Sequence, residues 1–262
     1  MNDPHSAQWI VVGIDGSEAA ISAARWAVAE ATSRDLPLRL VYAIPDASLL
    51  DVECGEAALR TAYAALHAVT AEVKIETDLV RGSAADVLVG QSRHAAMVCA
   101  GSVGIGPIAR LVIGSTAQTV AQKALCPVAV VRAKRDACEP HSGSVAVVVD
   151  DSPHNDAVLD HGFREARLRE APILAMGVWR WGLGEIPYRQ LDRRLHRWVT
   201  RYPEVHVRPA AARRGAVEYL SGAHEPVQLA VVDSRYADRV AQLVGPPTPR
   251  IGYAGCSVLV VR

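Results

Sequence analysis

An internal repeat constrains this fold more than any other feature of the sequence. Trp9-Ile-Val-Val-Gly13-Ile-Asp15-Gly-Ser17 returns as Val145-Ala-Val-Val-Val-Asp150-Asp-Ser-Pro153, and Cys126-Pro-Val-Ala-Val-Val-Arg132 returns as Cys256-Ser-Val-Leu-Val-Val-Arg262. Asp150 follows Asp15 at 135 residues and Cys256 follows Cys126 at 130, so two copies of one unit fill a chain of 262 residues. Between them, residues 133–143 are polar and carry Pro and Gly, as a linker does. The expected domains are residues 1–135 and 143–262.

Each copy alternates strand and helix signals. Residues 9–15 form an apolar run that stops at Asp15, the pattern of a strand buried on both faces. Ser17 is placed to cap the next helix, where Ile21, Ala24, Val28 and Ala31 recur at helical spacing. Strands follow at 38–44, 73–80, 96–100 and 128–132, with helices at 56–69, 84–93 and 116–125. The second copy repeats the order: strand 144–150, helix 154–169, strand 172–179, helix 188–201, strand 204–210, helix 213–223, strand 228–233, a segment without clear pattern, and strand 257–262. Strict alternation predicts an α/β fold of two tandem doubly wound parallel sheets with right-handed crossovers.

The chemistry lies after the fourth strand of the first copy. Gly101-Ser102-Val103-Gly104-Ile105-Gly106-Pro107 runs on to Gly114-Ser115-Thr116, which is Gly, two residues, Gly, nine residues, Gly-Ser. Glycine lets a backbone approach a ligand closely, and successive amides in such a loop form an anion nest. A Gly-Ser-Thr step into a helix adds the positive helix end, which suits phosphate. Ligands of open α/β sheets bind at the carboxyl ends of strands beside the switch point, where strands one and four deliver Asp15 and Gly101. Read alone, a Gly-x-x-Gly step makes only a tight loop; the full spacing at a strand-to-helix junction favours a phosphate site.

These residues resemble the universal stress protein family: Ile14-Asp15-Gly16-Ser17 after strand one, the complete Gly101/Gly104/Gly114-Ser115 pattern, and the closing Cys126-Pro127-Val128 through Arg132. The resemblance covers essentially the whole chain as two tandem copies, with Trp198 to Val205 similar to the second copy of tandem members. It implies five-stranded sheets of order 3-2-1-4-5 and ATP as ligand. It also implies Mg²⁺ carried by the phosphates, pairing through the fifth strands in a homodimer or intrachain pseudo-dimer, and a regulatory role in stress response. By the same resemblance Gly13, Asp15 and Val41 face the nucleoside, with the Val41 backbone offered to adenine. Residues 101–107 hold ribose and phosphates, and Gly114, Ser115 and Thr116 bind the phosphate tail. A carboxylate repels triphosphate, so the expected partner of Asp15 is a ribose hydroxyl or metal-bound water.

The second copy departs from the pattern. Asp233 and Tyr236 fall where Gly101 and Gly104 stand, and Gly245-Pro246-Pro247 replaces Gly114-Ser115-Thr116. Proline lacks the amide donor and aspartate repels phosphate, so this nest reads as dismantled. The pair Asp150-Asp151 also opens phospho-accepting receiver domains, but that chemistry needs an Asp after strand three and a Lys near strand five. Strand three leads into Arg208-Pro-Ala-Ala and the second half has no Lys. Asp151 is instead expected to cap the following helix. Arg189, Arg193, Arg194, Arg197 and Arg201 share one helix, the last four along one side, either a solvated face or a docking surface for an acidic partner or anionic lipid. Trp179 and Trp181 suit packing as well as stacking.

Several classes are excluded. Lys plus Arg equals Asp plus Glu at 28 each, which argues against a nucleic-acid binder. No apolar run reaches the roughly 18 residues of a membrane helix, and the opening MNDPHSAQW lacks the features of a signal peptide, which makes the cytoplasm the expected compartment. The five cysteines form no C-x-x-C pair, so reduced thiols rather than zinc are expected. An adenine-nucleotide enzyme of the same broad fold, hydrolysing ATP or transferring its adenylyl group, is the alternative function. Its usual S-G-G-x-D-S loop is missing after strand one, and so is a Walker loop.

Overall fold

The computed structural model describes residues 8–45, 48–68, 70, 72–104, 113–133, 143–178, 187–222, 226–245 and 255–262. The chain divides into two compact units, Met1–Arg135 and Asp136–Arg262. The first runs β1 (Trp9–Gly13), α1 (Glu18–Arg34), β2 (Leu38–Ile44), α2 (Leu49–His67), β3 (Ile75–Arg81), α3 (Ala84–Gln91), β4 (Ala95–Gly101), α4 (Ser115–Lys123) and β5 (Val128–Val131). Its strands are parallel and ordered β3-β2-β1-β4-β5. The second runs β6 (Ser144–Val149), α5 (Asn155–Leu168), β7 (Ile173–Gly177), α6 (Pro187–Arg201), β8 (Val207–Ala211), α7 (Ala216–Gly222) and β9 (Val227–Asp233). A 3-10 helix (Ser234–Arg239), α8 (Val240–Val244) and β10 (Ser257–Val261) complete it. It repeats the topology as β8-β7-β6-β9-β10, again parallel. The α/β alternation and the strand order therefore stand as expected.

The central strands are buried on both faces. In β1, Ile10 and Val12 have no exposed surface, and every residue of β6 is buried. The helices cover these faces with small residues: α1 turns Ala19, Ala20, Ala23, Ala24, Ala27 and Ala31 inward.

The repeat persists in backbone detail. The register between first and fourth strands slips at Trp9/Ile10 in one unit and at Ser144/Val145 in the other. Both first helices end on a non-glycine residue in the left-handed region, Asp35 at φ 52° and Glu170 at φ 50°. The chain then turns back identically, Leu36 N–H donating to Ala31 and Ala171 N–H to Ala166. Each helix also carries a buried glutamate paired one turn on, Glu30–Arg34 at 3.0 Å and Glu165–Arg169 at 2.8 Å.

Helix α2 begins at Leu49, seven residues before the expected start at 56. Ser48 caps it by accepting the Asp51 N–H, while Leu49 and Leu50 are exposed, so the first turn shows no amphipathic signal. The patternless segment of the second copy is the 3-10 helix with α8. Asp151 does not cap α5: that helix has His154 at its N-cap with no side-chain bond. Trp179, Trp181, Pro246 and Pro247 lie outside the described residues, as does most of the 133–143 linker.

Candidate functional site

Two short turns build the crevice of the first unit. After β1, the Asp15 Oδ1 accepts the Ser17 N–H at 2.9 Å, and Gly16 takes φ 84° between them. Ser17 Oγ then accepts the Ala20 N–H and starts α1. After β4, the Ser102 N–H donates to Val131 and its carbonyl accepts the Gly114 N–H at 2.9 Å. The chain thus leaves β4 and re-enters at α4 beside the same point.

A cavity of about 380 Å³ lies between these turns. Gly13 and Asp15 of the first turn, Val41 of β2, and Gly101, Val103, Gly104, Gly114, Ser115 and Thr116 line it together. Ser102 does not line it; its residue is buried and serves the loop closure. Ile105, Gly106 and Pro107 lie outside the described residues. Sequence reasoning missed one wall, made by Ala84, Val87 and Leu88 of α3. Its signal was positional: α3 follows β3 at the same carboxyl edge.

The glycines act by different means than their spacing suggested. Gly101 is required by packing, because a Cβ there would stand 2.7 Å from the Ala19 carbonyl carbon and 2.9 Å from its oxygen. Gly104 faces Asp15, whose Oδ2 would be 3.1 Å from an added Cβ. Gly114 is the N-cap of α4 at φ −63°, ψ 140°, a conformation open to any residue. None of the three adopts the left-handed backbone that glycine alone favours.

The helix end is open to the cavity. Helices α1, α2 and α3 are capped by the side chains of Ser17, Ser48 and Ser83. At α4 the cap is Gly114, with no side-chain bond and no acidic residue in the first turn. The first-turn amides of Ser115, Thr116 and Ala117 have no partner within the helix and carry its positive partial charge. Asp15 is the single ionisable side chain of the described lining. Val41 lines the opposite side, and its carbonyl accepts the Ile14 N–H at 2.8 Å. An apolar slot thus runs toward an anion-attracting end.

The equivalent place in the second unit is arranged differently. The strand registers align Gly101 with Asp233 and Asp15 with Asp150. Asp150 forms the same turn, its Oδ1 accepting the Ser152 N–H at 2.9 Å. Arg235 then bridges the two carboxylates, with Nη2 2.5 Å from Asp150 Oδ2 and Nε 3.0 Å from Asp233 Oδ1. Burial opposes ionisation of Asp233, but hydrogen bonds from the Arg235 backbone and guanidinium outweigh it and hold the carboxyl below its usual range. The negative charge read from sequence is thus largely answered on the spot.

Three arginines of α6 are also engaged within the unit. Arg194 donates to the carbonyls of Asp150 and Ser152, Arg197 pairs with Asp156 at 2.6 Å, and Arg201 pairs with Asp160 at 3.4 Å. Arg193 stays exposed, and the Arg197 and Arg201 side chains keep 60% and 63% of their surface exposed, so this basic face is only partly neutralised. Among the described residues no helix is long and apolar enough to cross a membrane.

Residues 7–132 match the model of the universal stress protein family. A universal stress protein of Mycobacterium tuberculosis is 48% identical over 260 residues, covering 97% of this chain and 96% of that one. Another from the same organism is 41% identical over 278 residues, covering 100% and 98%. The crystal structure of a universal stress protein from Archaeoglobus fulgidus shares the fold with TM-score 0.64 at 14% identity, over 98% of this chain and 99% of that one. With two repeats of one α/β unit and relatives this similar along their whole length, the chain belongs to the universal stress protein family.

Proposed function

We propose that this protein is a nucleotide-binding regulator of the stress response that holds ATP in the crevice of its first unit. The observation that carries the reading is the cavity of about 380 Å³, a volume suited to a nucleoside, whose apolar slot ends on the uncapped start of α4. The base occupies the slot between Val41 and the α3 wall, and the phosphates meet the amides of Ser115 and Thr116. Asp15 keeps Oδ2 for a ribose hydroxyl, since Oδ1 is committed to Ser17. Any Mg²⁺ arrives with the phosphates, Asp15 being the one carboxylate of the lining. The stress-response role follows from the family. Strands β5 and β10 each end their unit's strand order, and such edges call for an equivalent strand against them.

A regulatory role is favoured over turnover because the described lining offers one ionisable group and no nucleophile–base pair. Titration calorimetry of ATP into nucleotide-stripped protein tests the reading. One site per chain is expected. A ratio near zero would refute nucleotide binding, and a ratio near two would place a site in the second unit as well.

A further inference from the structure

We propose that Arg235 is a clamp that holds the turn after β6 against the turn after β9, at the position that Val103 has in the first unit. The inference does not rest on what the first unit binds. The register that aligns Gly101 with Asp233 also aligns Val103 with Arg235. Val103 lines an open cavity, whereas Arg235 reaches across to Asp150. One side chain therefore ties by ion pairs two turns that in the first unit meet with the Gly104 backbone beside Asp15.

The Arg235 side chain is 57% exposed, but the carboxylates that it joins are nearly buried. Arg235 uses Nε for Asp233 and Nη2 for Asp150, so one planar guanidinium is shared by two carboxylates. Its own N–H also donates to Asp233 Oδ1 at 2.8 Å, which fixes the base of the side chain. Both carboxylates are nearly buried, and Asp150 is oriented separately by the Ser152 N–H. Behind the same turn, Arg194 donates to the carbonyls of Asp150 and Ser152. The turn after β6 is thus held from two sides by residues of α6 and of the 3-10 helix. Removing Arg235 would leave two facing carboxylates without their counter-charge, and the turns would separate.

Hydrogen exchange on the full-length protein tests this, comparing the parent with Arg235→Val and Arg235→Lys. Valine is the residue of the first unit at this place, and lysine keeps the charge but not the fork. The expected result is exchange at least tenfold faster at the amides of Ser152, His154 and Asn155 and of residues 235–239 in the valine variant. An intermediate effect is expected in the lysine variant, and unchanged exchange at residues 15–20 and 101–104 in both. If the valine variant fails to fold, the lysine variant still reads the bidentate contribution. Unchanged exchange at Ser152, His154 and Asn155 in folded variants would overturn the proposal and leave Arg235 a solvated surface group.

Discussion

Replacing Gly114 by Asp separates the stability of the first unit from its affinity for phosphate. Gly114 sits at φ −63°, ψ 140°, and a Cβ there meets nothing closer than 3.8 Å, so the substitution carries neither strain nor overlap. Aspartate is a preferred N-cap, better than glycine by a few tenths of a kcal/mol, and its charge at the helix start adds about 0.3–1 kcal/mol. The variant should melt at the same temperature as the parent or slightly above it. Binding should move the other way. A carboxylate about 4 Å from a phosphate charge costs roughly 1 kcal/mol in water-like surroundings and about 4 kcal/mol at the effective dielectric of a protein surface. Even a value just above the lower bound reaches tenfold, about 1.4 kcal/mol. Gly114→Asn caps equally well without charge and should stay within a few-fold of the parent. Calorimetric titration with ATP, paired with thermal melting, reads both effects. Parent-like affinity in a Gly114→Asp variant that melts normally would refute the placement of phosphate at α4.

Two other predictions concern the packing and the charges behind the crevices. Gly101→Ala should destabilise the first unit by about 1–3 kcal/mol through overpacking, because the new methyl group meets the Ala19 backbone at 2.7–2.9 Å; a melting temperature equal to the parent's would contradict that contact. Asp233 is held below the usual carboxylate range, so its contribution to stability is complete above its unfolded value of about 3.9 and is lost as pH falls through its lower folded value. Acid titration of second-unit stability should therefore show a loss below about pH 4 that Asp233→Asn removes, and an identical acid profile in that variant would exclude Asp233 as its source.

Periodicity made the alternation legible because buried strands and small-residue helix faces leave long-range patterns. It failed at the start of α2, where exposed Leu49 and Leu50 break the amphipathic stripe and only Ser48 and Asp51 mark the cap. The glycine spacing pointed to loops that line one cavity, but the glycines there act by packing and position rather than by left-handed backbone. Whether Gly101 serves a ligand or a neighbouring helix depends on how closely α1 approaches β4, a tertiary distance with no local signature. The α6 arginines were ambiguous for the same cause: their acidic partners lie on α5, some forty residues away, at Asp156 and Asp160. Arg235 escaped notice because its second partner, Asp150, is 85 residues distant.

The recurrence of one turn in both units separates its structural role from its chemical one. Asp15 and Asp150 each spend Oδ1 on the N–H two residues ahead, at 2.9 Å in both cases. That bond shapes the entry to α1 and α5 whether the crevice beyond is open or crossed by an arginine. An aspartate at this position is thus sufficiently explained by the turn, and its presence in the second unit says nothing about binding there. What distinguishes the units is the use of the remaining oxygen. In the first, Oδ2 lies beside Gly104 at the edge of the cavity; in the second, it faces a guanidinium. The register slip, the left-handed helix ends and the buried Glu–Arg pairs are shared, so none of them encodes the difference. Asp233 and Arg235, standing where the first unit has Gly101 and Val103, supply the ion pairs by which the second unit's turns differ from the first's.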